Sequence, residues 1–200
     1  MQLIGLTGGT GSGKSEAGRR FAARDMAVID ADAVGHDVIA PGGTAEDAVR
    51  AAFGEEILSD GAIDREKLGA RVFGDADALR TLNALVHPAI ISEIGRRCAD
   101  YAEAGAPAVI IDAALIAESG KLEPWLSGLI LVSCPLEERI RRLVTLRGMR
   151  EDDARQRAAA QGDPDRKRPL ARWVIDNSGT REALYEQVDR IADAIEAEAG

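Results

Sequence analysis

One glycine-dense stretch near the start of the chain constrains its fold more than any other feature. Residues 8–15 carry the spacing Gly-x-x-x-x-Gly-Lys-Ser, after an apolar run at residues 3–6 and before a helix-compatible segment. A strand, such a loop and a helix together are typical of the nucleotide P-loop, whose backbone N–H groups surround phosphate oxygens. In that motif the lysine, here Lys14, contacts the β- and γ-phosphates, and the Ser15 hydroxyl is placed for Mg²⁺. The stretch therefore predicts a nucleoside triphosphate site, but it does not indicate which molecule receives the γ-phosphate.

The composition argues against several other classes of protein. Apolar residues make up 46% of the 200 residues, which is enough for one domain with a sizeable core. A net charge of −9 disfavours non-specific binding of nucleic acid, because phosphate contacts dominate that affinity. Cys98 and Cys134 lie outside any metal or redox spacing, which favours buried thiols in a reducing cytosol. We find no signal peptide and no apolar run long enough to span a bilayer, so we expect a cytoplasmic protein with no membrane partner.

Apolar runs that alternate with helical segments predict an α/β protein. The runs are continuous rather than alternating, which indicates a parallel sheet covered by helices on both faces. We expect a longer helix to begin at Pro88, which suits a first helical position, and to end near Gly105. The predicted strands are residues 3–6, 27–29, 108–112, 129–132 and 173–176. The other predicted helices are residues 15–24, 33–39, 46–53 and 65–73, one that Pro135 opens and one that Thr180 caps.

Polar side chains follow several of these strands, at the edge where parallel sheets bind their ligands. Asp32 could be the base that takes a proton from an acceptor hydroxyl, or it could cap the next helix. Asp30 could be that cap or a ligand of Mg²⁺-bound water. Asp112 could hold Mg²⁺ as a Walker-B carboxylate, or it could be another cap. His36 follows Asp32 by one helical turn and is either a site residue or a structural histidine.

Basic residues crowd one segment of this acidic chain. Between them lie two short stretches that resemble hinges, Gly148-Met149 and Gly162-Asp163-Pro164. A basic, hinged flap is typical of a kinase lid, which brings arginine to the phosphates and excludes water. The alternative is a solvated helix face that is paired with the acidic residues 151–153. The basic residues are Arg139, Arg141, Arg142, Arg147, Arg150, Arg155, Arg157, Arg166, Lys167, Arg168 and Arg172.

Several motifs, in the right order over essentially the full length, resemble those of the dephospho-coenzyme A kinase family. Residues 4–15 are similar to the family's opening signature, and Asp30-Ala31-Asp32 with His36 is similar to its second motif. Leu85-Val86-His87-Pro88 resembles its His-Pro motif. The lid of the family resembles Arg141-Arg142-Leu143, Arg147-Gly148-Met149 and Ala159-Ala160-Gln161, and its final strand and loop resemble residues 174–179.

The resemblance implies a fold and a reaction. The fold is a P-loop NTPase fold of the nucleoside-monophosphate-kinase type, with three layers and a five-stranded parallel sheet. It would form one domain with a core at about residues 1–31, 106–140 and 170–200. A helical substrate-binding part at about residues 32–105 and a lid at about residues 141–169 would complete it. The reaction is transfer of the ATP γ-phosphate to the ribose 3′-hydroxyl of dephospho-coenzyme A, with Mg²⁺ as cofactor and no nucleic-acid partner.

The resemblance also assigns roles to individual residues. The catalytic residues would be Asp32 as the base, Lys14 and Arg141. ATP would be bound by Gly11, Ser12, Gly13, Lys14, Ser15, Glu16 and Asn177, the last near the adenine pocket. Dephospho-coenzyme A would be bound by Asp32, His36, His87, Leu115, Arg142 and Arg147. Mg²⁺ would be bound by Ser15 and, through water, by Asp112.

The same residues depart from the family pattern at one position, and they argue against two alternative functions. The family usually has Asp-x-Pro-Leu-Leu-x-Glu after its third strand, whereas this chain has Ala114 in place of the proline, which affects the contact expected of Leu115. A different metabolite kinase, such as an adenylate or shikimate kinase, would not be expected to combine these motifs. A GTPase switch is disfavoured because Asp32-Ala33-Val34-Gly35 stands too close to the P-loop and no Asn-Lys-x-Asp occurs.

Overall fold

The computed structural model describes residues 1–113, 116–117, 120–161 and 163–199, which form two compact units. The first unit comprises residues 1–30 and the chain from Tyr101 onward, and the second comprises Ala31–Asp100. The segment that the sequence predicts to be a lid clusters with the first unit.

A five-stranded parallel sheet forms the centre of the first unit and confirms the predicted fold class. Its spatial order is β2-β5-β1-β6-β7, so the P-loop strand β1 lies in the middle. The apolar runs become strands because both of their faces are covered, and β5 is buried at every position. The strands are β1 (Gln2–Gly8), β2 (Ala27–Asp30), β5 (Ala108–Asp112), β6 (Gly128–Ser133) and β7 (Trp173–Asp176).

Two helices pack on one face of this sheet. Helix α1 (Lys14–Ala22) contributes Phe21 to the core, and α8 (Arg181–Ala199) contributes Val188 and Ile195. These side chains meet the buried residue Leu6 of the P-loop strand. The apolar stripe of the last helix therefore supports the strand from which the P-loop emerges.

Two further helices form a smaller cluster in the predicted lid segment. Helix α6 (Leu136–Arg147) and α7 (Glu151–Ala160) pack together through Ile140, Leu143 and Ala154. Gly148, with φ +63°, ends α6 in the left-handed conformation that glycine favours. A 3₁₀ segment, Pro164–Leu170, then leads back to β7.

The second unit is mostly helical. Its longest helix, α5, begins at Ala76 and contains Pro88, so the predicted start at Pro88 was wrong. The Asp75 carboxylate caps this helix by accepting hydrogen bonds from the N–H groups of Asp77 and Ala78, at 3.1 and 2.9 Å. The helix therefore starts at the aspartate cap rather than at the proline. The elements are α2 (Ala31–Asp37), α3 (Glu46–Phe53), a hairpin of β3 (Leu58–Ser59) with β4 (Ala62–Ile63), α4 (Arg65–Val72) and α5 (Ala76–Glu103).

The strand register brings the functional ends of the sheet together. Leu6 of β1 pairs with Asp112 of β5, and Asp112 pairs in turn with Asp30 of β2. On the other side of β1, Gly8 pairs with Val132 of β6. The P-loop and Asp112 therefore lie at the same edge of the sheet, as the sequence predicts.

Candidate active site

The P-loop adopts a conformation that its glycines make possible. Gly11 and Gly13 have φ values of +80° and +94°, in the left-handed region that residues with a side chain seldom adopt. A Cβ at Gly11 would also lie 2.7 Å from the carbonyl oxygen of Arg139. Helix α1 begins at Lys14, so its amino-terminal N–H groups belong to the loop. This is the geometry of a phosphate-binding helix start.

Lys14 and Asp112 form an ion pair beside this loop. The Lys14 ammonium contacts Oδ1 of Asp112, and both side chains are largely buried. The predicted phosphate-binding lysine and the predicted Walker-B carboxylate are thus neighbours. Among the described residues, no group of three or more His, Cys, Asp and Glu side chains could hold a metal ion.

Gln161 and Arg139 form hydrogen bonds with the backbone N–H and carbonyl of Thr10. The Thr10 N–H donates to Oε1 of Gln161 at 2.6 Å, and Nε of Arg139 donates to the Thr10 carbonyl at 2.9 Å. Arg139 is buried, and this burial lowers the pKa of its guanidinium. Sequence reasoning grouped Arg139 with the other cations and did not assign Gln161 a contact, because neither hydrogen bond has a local sequence signal.

A cavity of about 350 Å³ opens beside the P-loop within the first unit. Ser12 and Arg139 line one part of it, while Asp165, Asp176 and Ser178 line another. In the described part of the chain, the Ser12 hydroxyl and Nη2 of Arg139 are buried without a hydrogen-bond partner. Buried polar atoms normally have one, so this cavity can offer hydrogen bonds to a bound molecule.

Asn177 contacts the P-loop directly. Its side chain is buried, and its Nδ2 donates to the carbonyl oxygen of Ser12 at 2.7 Å. The backbone carbonyl oxygen of Asn177 accepts a hydrogen bond from Nη2 of Arg142 at 2.9 Å. Asn177 therefore connects the phosphate loop to helix α6.

The predicted lid arginines differ in their surroundings. Arg141 and Arg142 both contact Glu138, and Arg141 is the more exposed of the two. The hydrogen bonds from Arg141, and then from Arg142, outweigh the effect of burial and lower the pKa of Glu138 to about 2. Arg147 lies in the exposed last turn of α6. Arg155 instead pairs with Glu151, as the solvated-face alternative predicts, and also with Glu137.

Glu16, in the first turn of α1, accepts hydrogen bonds from Arg19 of the same helix and from two side chains of α8. Burial alone would raise its pKa, but hydrogen bonds from Tyr185, Arg19 and Arg181 together lower that pKa to about 2. The ring of Tyr185 also lies under the guanidinium groups of Arg20 and Arg181. These contacts fasten the start of α1 to the carboxy-terminal helix.

Three of the remaining predicted site residues belong to the second unit, and one lies outside the described residues. Asp32 is exposed in the first turn of α2, and His36 is exposed in the last turn of that helix. His87 is an exposed residue of α5. All three belong to the second unit, and Leu115 lies outside the described residues.

Known proteins resemble this chain over nearly its full length. A family model described as dephospho-CoA kinase matches residues 2–182. The dephospho-CoA kinase of Aromatoleum aromaticum is 41% identical over 190 residues, which are 94% of this chain and 91% of that protein. The crystal structure of TT1252 from Thermus thermophilus has a TM-score of 0.82 at 31% identity and covers 96% of both chains. The dephospho-CoA kinase structure from Campylobacter jejuni, with a TM-score of 0.65 at 20% identity and 97% of both chains covered, supports the fold.

The parallel sheet with a P-loop at its central strand defines a P-loop protein that binds nucleoside triphosphates. Within that class, the chain belongs to the dephospho-CoA kinase family, as its motifs predict. It is therefore an ATP-dependent kinase of coenzyme A synthesis. In the part of the chain that the structure describes, no helix is long and apolar enough to cross a membrane.

Proposed function

We propose that this chain transfers the γ-phosphate of ATP to the 3′-hydroxyl of the dephospho-coenzyme A ribose, through the residue roles given below. The reaction follows from family membership. The P-loop geometry is the observation that carries the proposal, because its positive-φ glycines and the helix start at Lys14 suit a triphosphate.

We assign the phosphate grip to the N–H groups of Gly11–Glu16 and to Lys14. Phosphoryl transfer depends mostly on positioning and charge neutralisation. Lys14 now neutralises Asp112, so a bound triphosphate competes with that carboxylate for the ammonium group. The ion pair keeps this largely buried lysine paired with a carboxylate when no phosphate is bound.

We assign Asp32 as the base that accepts the proton of the acceptor hydroxyl. An exposed carboxylate in the first turn of a helix is accessible to a substrate. We assign His36, His87 and Leu115 to the acceptor side on the basis of the motifs that carry them.

We assign charge neutralisation in the transition state to Arg141, with Arg142 and Arg147 as further phosphate contacts. All three lie on α6, and Arg141 is exposed enough to leave Glu138 for a substrate phosphate. A guanidinium is suited to this task because its planar fork binds two phosphate oxygens at once.

P-loop kinases generally use Mg²⁺, and the residues here fit that ion. The Ser15 hydroxyl and the Asp112 carboxylate supply oxygen, which Mg²⁺ prefers, and such sites complete their coordination with water and substrate phosphates. When bound, Mg²⁺ would neutralise charge on the β- and γ-phosphates. Because Cys98 and Cys134 are free thiols, we propose that the protein acts in the cytoplasm, with ATP and dephospho-coenzyme A as its small-molecule partners.

A coupled ADP-release assay with a panel of hydroxyl acceptors tests this proposal. The panel contains dephospho-coenzyme A, AMP, shikimate and buffer alone. We expect rapid ADP release only with dephospho-coenzyme A. Faster release with shikimate or AMP would indicate another metabolite kinase, and an acceptor-independent rate would indicate a nucleotide switch.

A further inference from the structure

Asn177 controls the orientation of one peptide group of the P-loop. Its Nδ2 donates to the Ser12 carbonyl, which belongs to the same peptide unit as the N–H of Gly13. In a planar trans peptide the carbonyl and the N–H point in opposite directions. A side chain that holds the Ser12 carbonyl therefore directs the Gly13 N–H away from Asn177.

Asn177 lies too close to Gly13 for a side chain at that glycine. A Cβ at Gly13 would lie 2.1 Å from Nδ2 of Asn177. The glycine thus serves two purposes, because it permits a φ of +94° and leaves room for the amide.

Asn177 is itself held by fixed neighbours. Its N–H donates to the Ser133 carbonyl at 2.9 Å, and its carbonyl accepts from Arg142 at 2.9 Å. Arg142 also donates through Nε to Glu138 at 2.7 Å. The backbone of Asn177 is therefore fixed by contacts from β6 and α6, and its side chain extends from this fixed point to Ser12.

We propose that Asn177 is a positioning residue that acts on the triphosphate through the Ser12–Gly13 peptide, rather than a contact for the adenine base. This proposal rests on the proposed ATP site and deepens it. Loss of the amide leaves a buried carbonyl without its donor and frees the peptide to rotate. The affinity for the phosphates then falls, irrespective of the base that the nucleotide carries.

Binding of ATP, tripolyphosphate and adenosine tests the assignment, since the second ligand has no base and the third has no phosphate. Calorimetry is run with Mg²⁺ on the wild type, Asn177→Ala and Asn177→Asp. Asn83→Ala is the matched control, because Asn83 is the other asparagine of the chain and lies exposed on α5. Thermal melts of each variant report folding, and ADP release by the wild type with dephospho-coenzyme A tests the proposed function separately.

We expect both Asn177 variants to lose about 10-fold or more in affinity for ATP and for tripolyphosphate alike, while adenosine binding is unchanged. As the pH is lowered from about 8 to about 5.5, the aspartate variant should recover part of the lost affinity, because a protonated carboxyl group can again donate a hydrogen bond to the Ser12 carbonyl. A loss confined to ATP and adenosine would make Asn177 a base contact and overturn the proposal. Unchanged affinities with a lowered melting temperature, or no tripolyphosphate binding by the wild type, would overturn it as well.

Discussion

The ammonium group of Lys14, at the start of α1, and the carboxylate of Asp112, at the end of β5, form an ion pair beside the P-loop. Both side chains are largely buried, so each charge depends on the other until a phosphate competes for the lysine. The pair joins the two features by which the sequence predicts nucleotide binding.

Replacement of Lys14 by methionine tests its role in charge neutralisation. We expect kcat to fall by about 10²- to 10³-fold, because a preorganised charge next to the transferred phosphate is lost. Steady-state ADP release measures this change. Lys121→Met, at an exposed position, is the control and should retain wild-type kcat. Similar losses in both variants would count against a specific role for Lys14.

Asp32→Asn tests the assignment of the base. We expect turnover to fall by about 10²- to 10⁴-fold with little change in ATP affinity, because the amide cannot accept the proton. ADP release and calorimetry provide the two measurements. Asp47→Asn, which changes an exposed first-turn aspartate of α3, should behave as the wild type. Unchanged turnover in the Asp32 variant would reassign that residue to a helix cap.

Arg141→Lys and Arg147→Lys separate charge from geometry on α6. We expect kcat/KM to fall by about 10-fold or more in each variant, since lysine keeps the charge but cannot bind two phosphate oxygens with a planar fork. Arg80→Lys is the matched control, because Arg80 is also an exposed helical arginine paired with an acid three residues away. If both α6 variants match this control, the two arginines do not clamp phosphate.

Glu16→Gln tests the contacts between α1 and α8 through their pH dependence. The folded-state pKa of Glu16 is about 2, below the ordinary value of 4.5, so its charge stabilises the fold above about pH 4.5. We expect the variant to be less stable by about 1 kcal/mol at pH 7, a modest figure because Arg19 and Arg181 are exposed. Denaturant titrations should show this difference shrinking as the pH falls from about 4.5 toward 2.

A control for that titration is Glu103→Gln, at an exposed position near the end of α5. It should show no comparable loss of stability at pH 7. A destabilisation of the Glu16 variant that stays constant down to about pH 2 would indicate lost packing rather than lost charge.

The sequence predicts the sheet well because its strands are continuous apolar runs that only a doubly covered sheet can bury. It fails at Pro88, where the local preference of proline for a helix start yields to the cap at Asp75. The hydrogen bonds that Gln161 and Asn177 make to the P-loop join residues more than 150 positions apart, so no local pattern could reveal them. The position of Lys14 at the start of α1 is predictable because the P-loop motif is local.

The product of the wild-type reaction tests the central claim most directly. The chain is incubated with ATP, Mg²⁺ and dephospho-coenzyme A, and phosphorus NMR and mass spectrometry identify the phosphorylated species. We predict one ADP for each coenzyme A formed, with the new phosphate on the ribose 3′-hydroxyl and negligible ADP without the acceptor. ADP formation with no new phosphate ester on dephospho-coenzyme A would contradict the account.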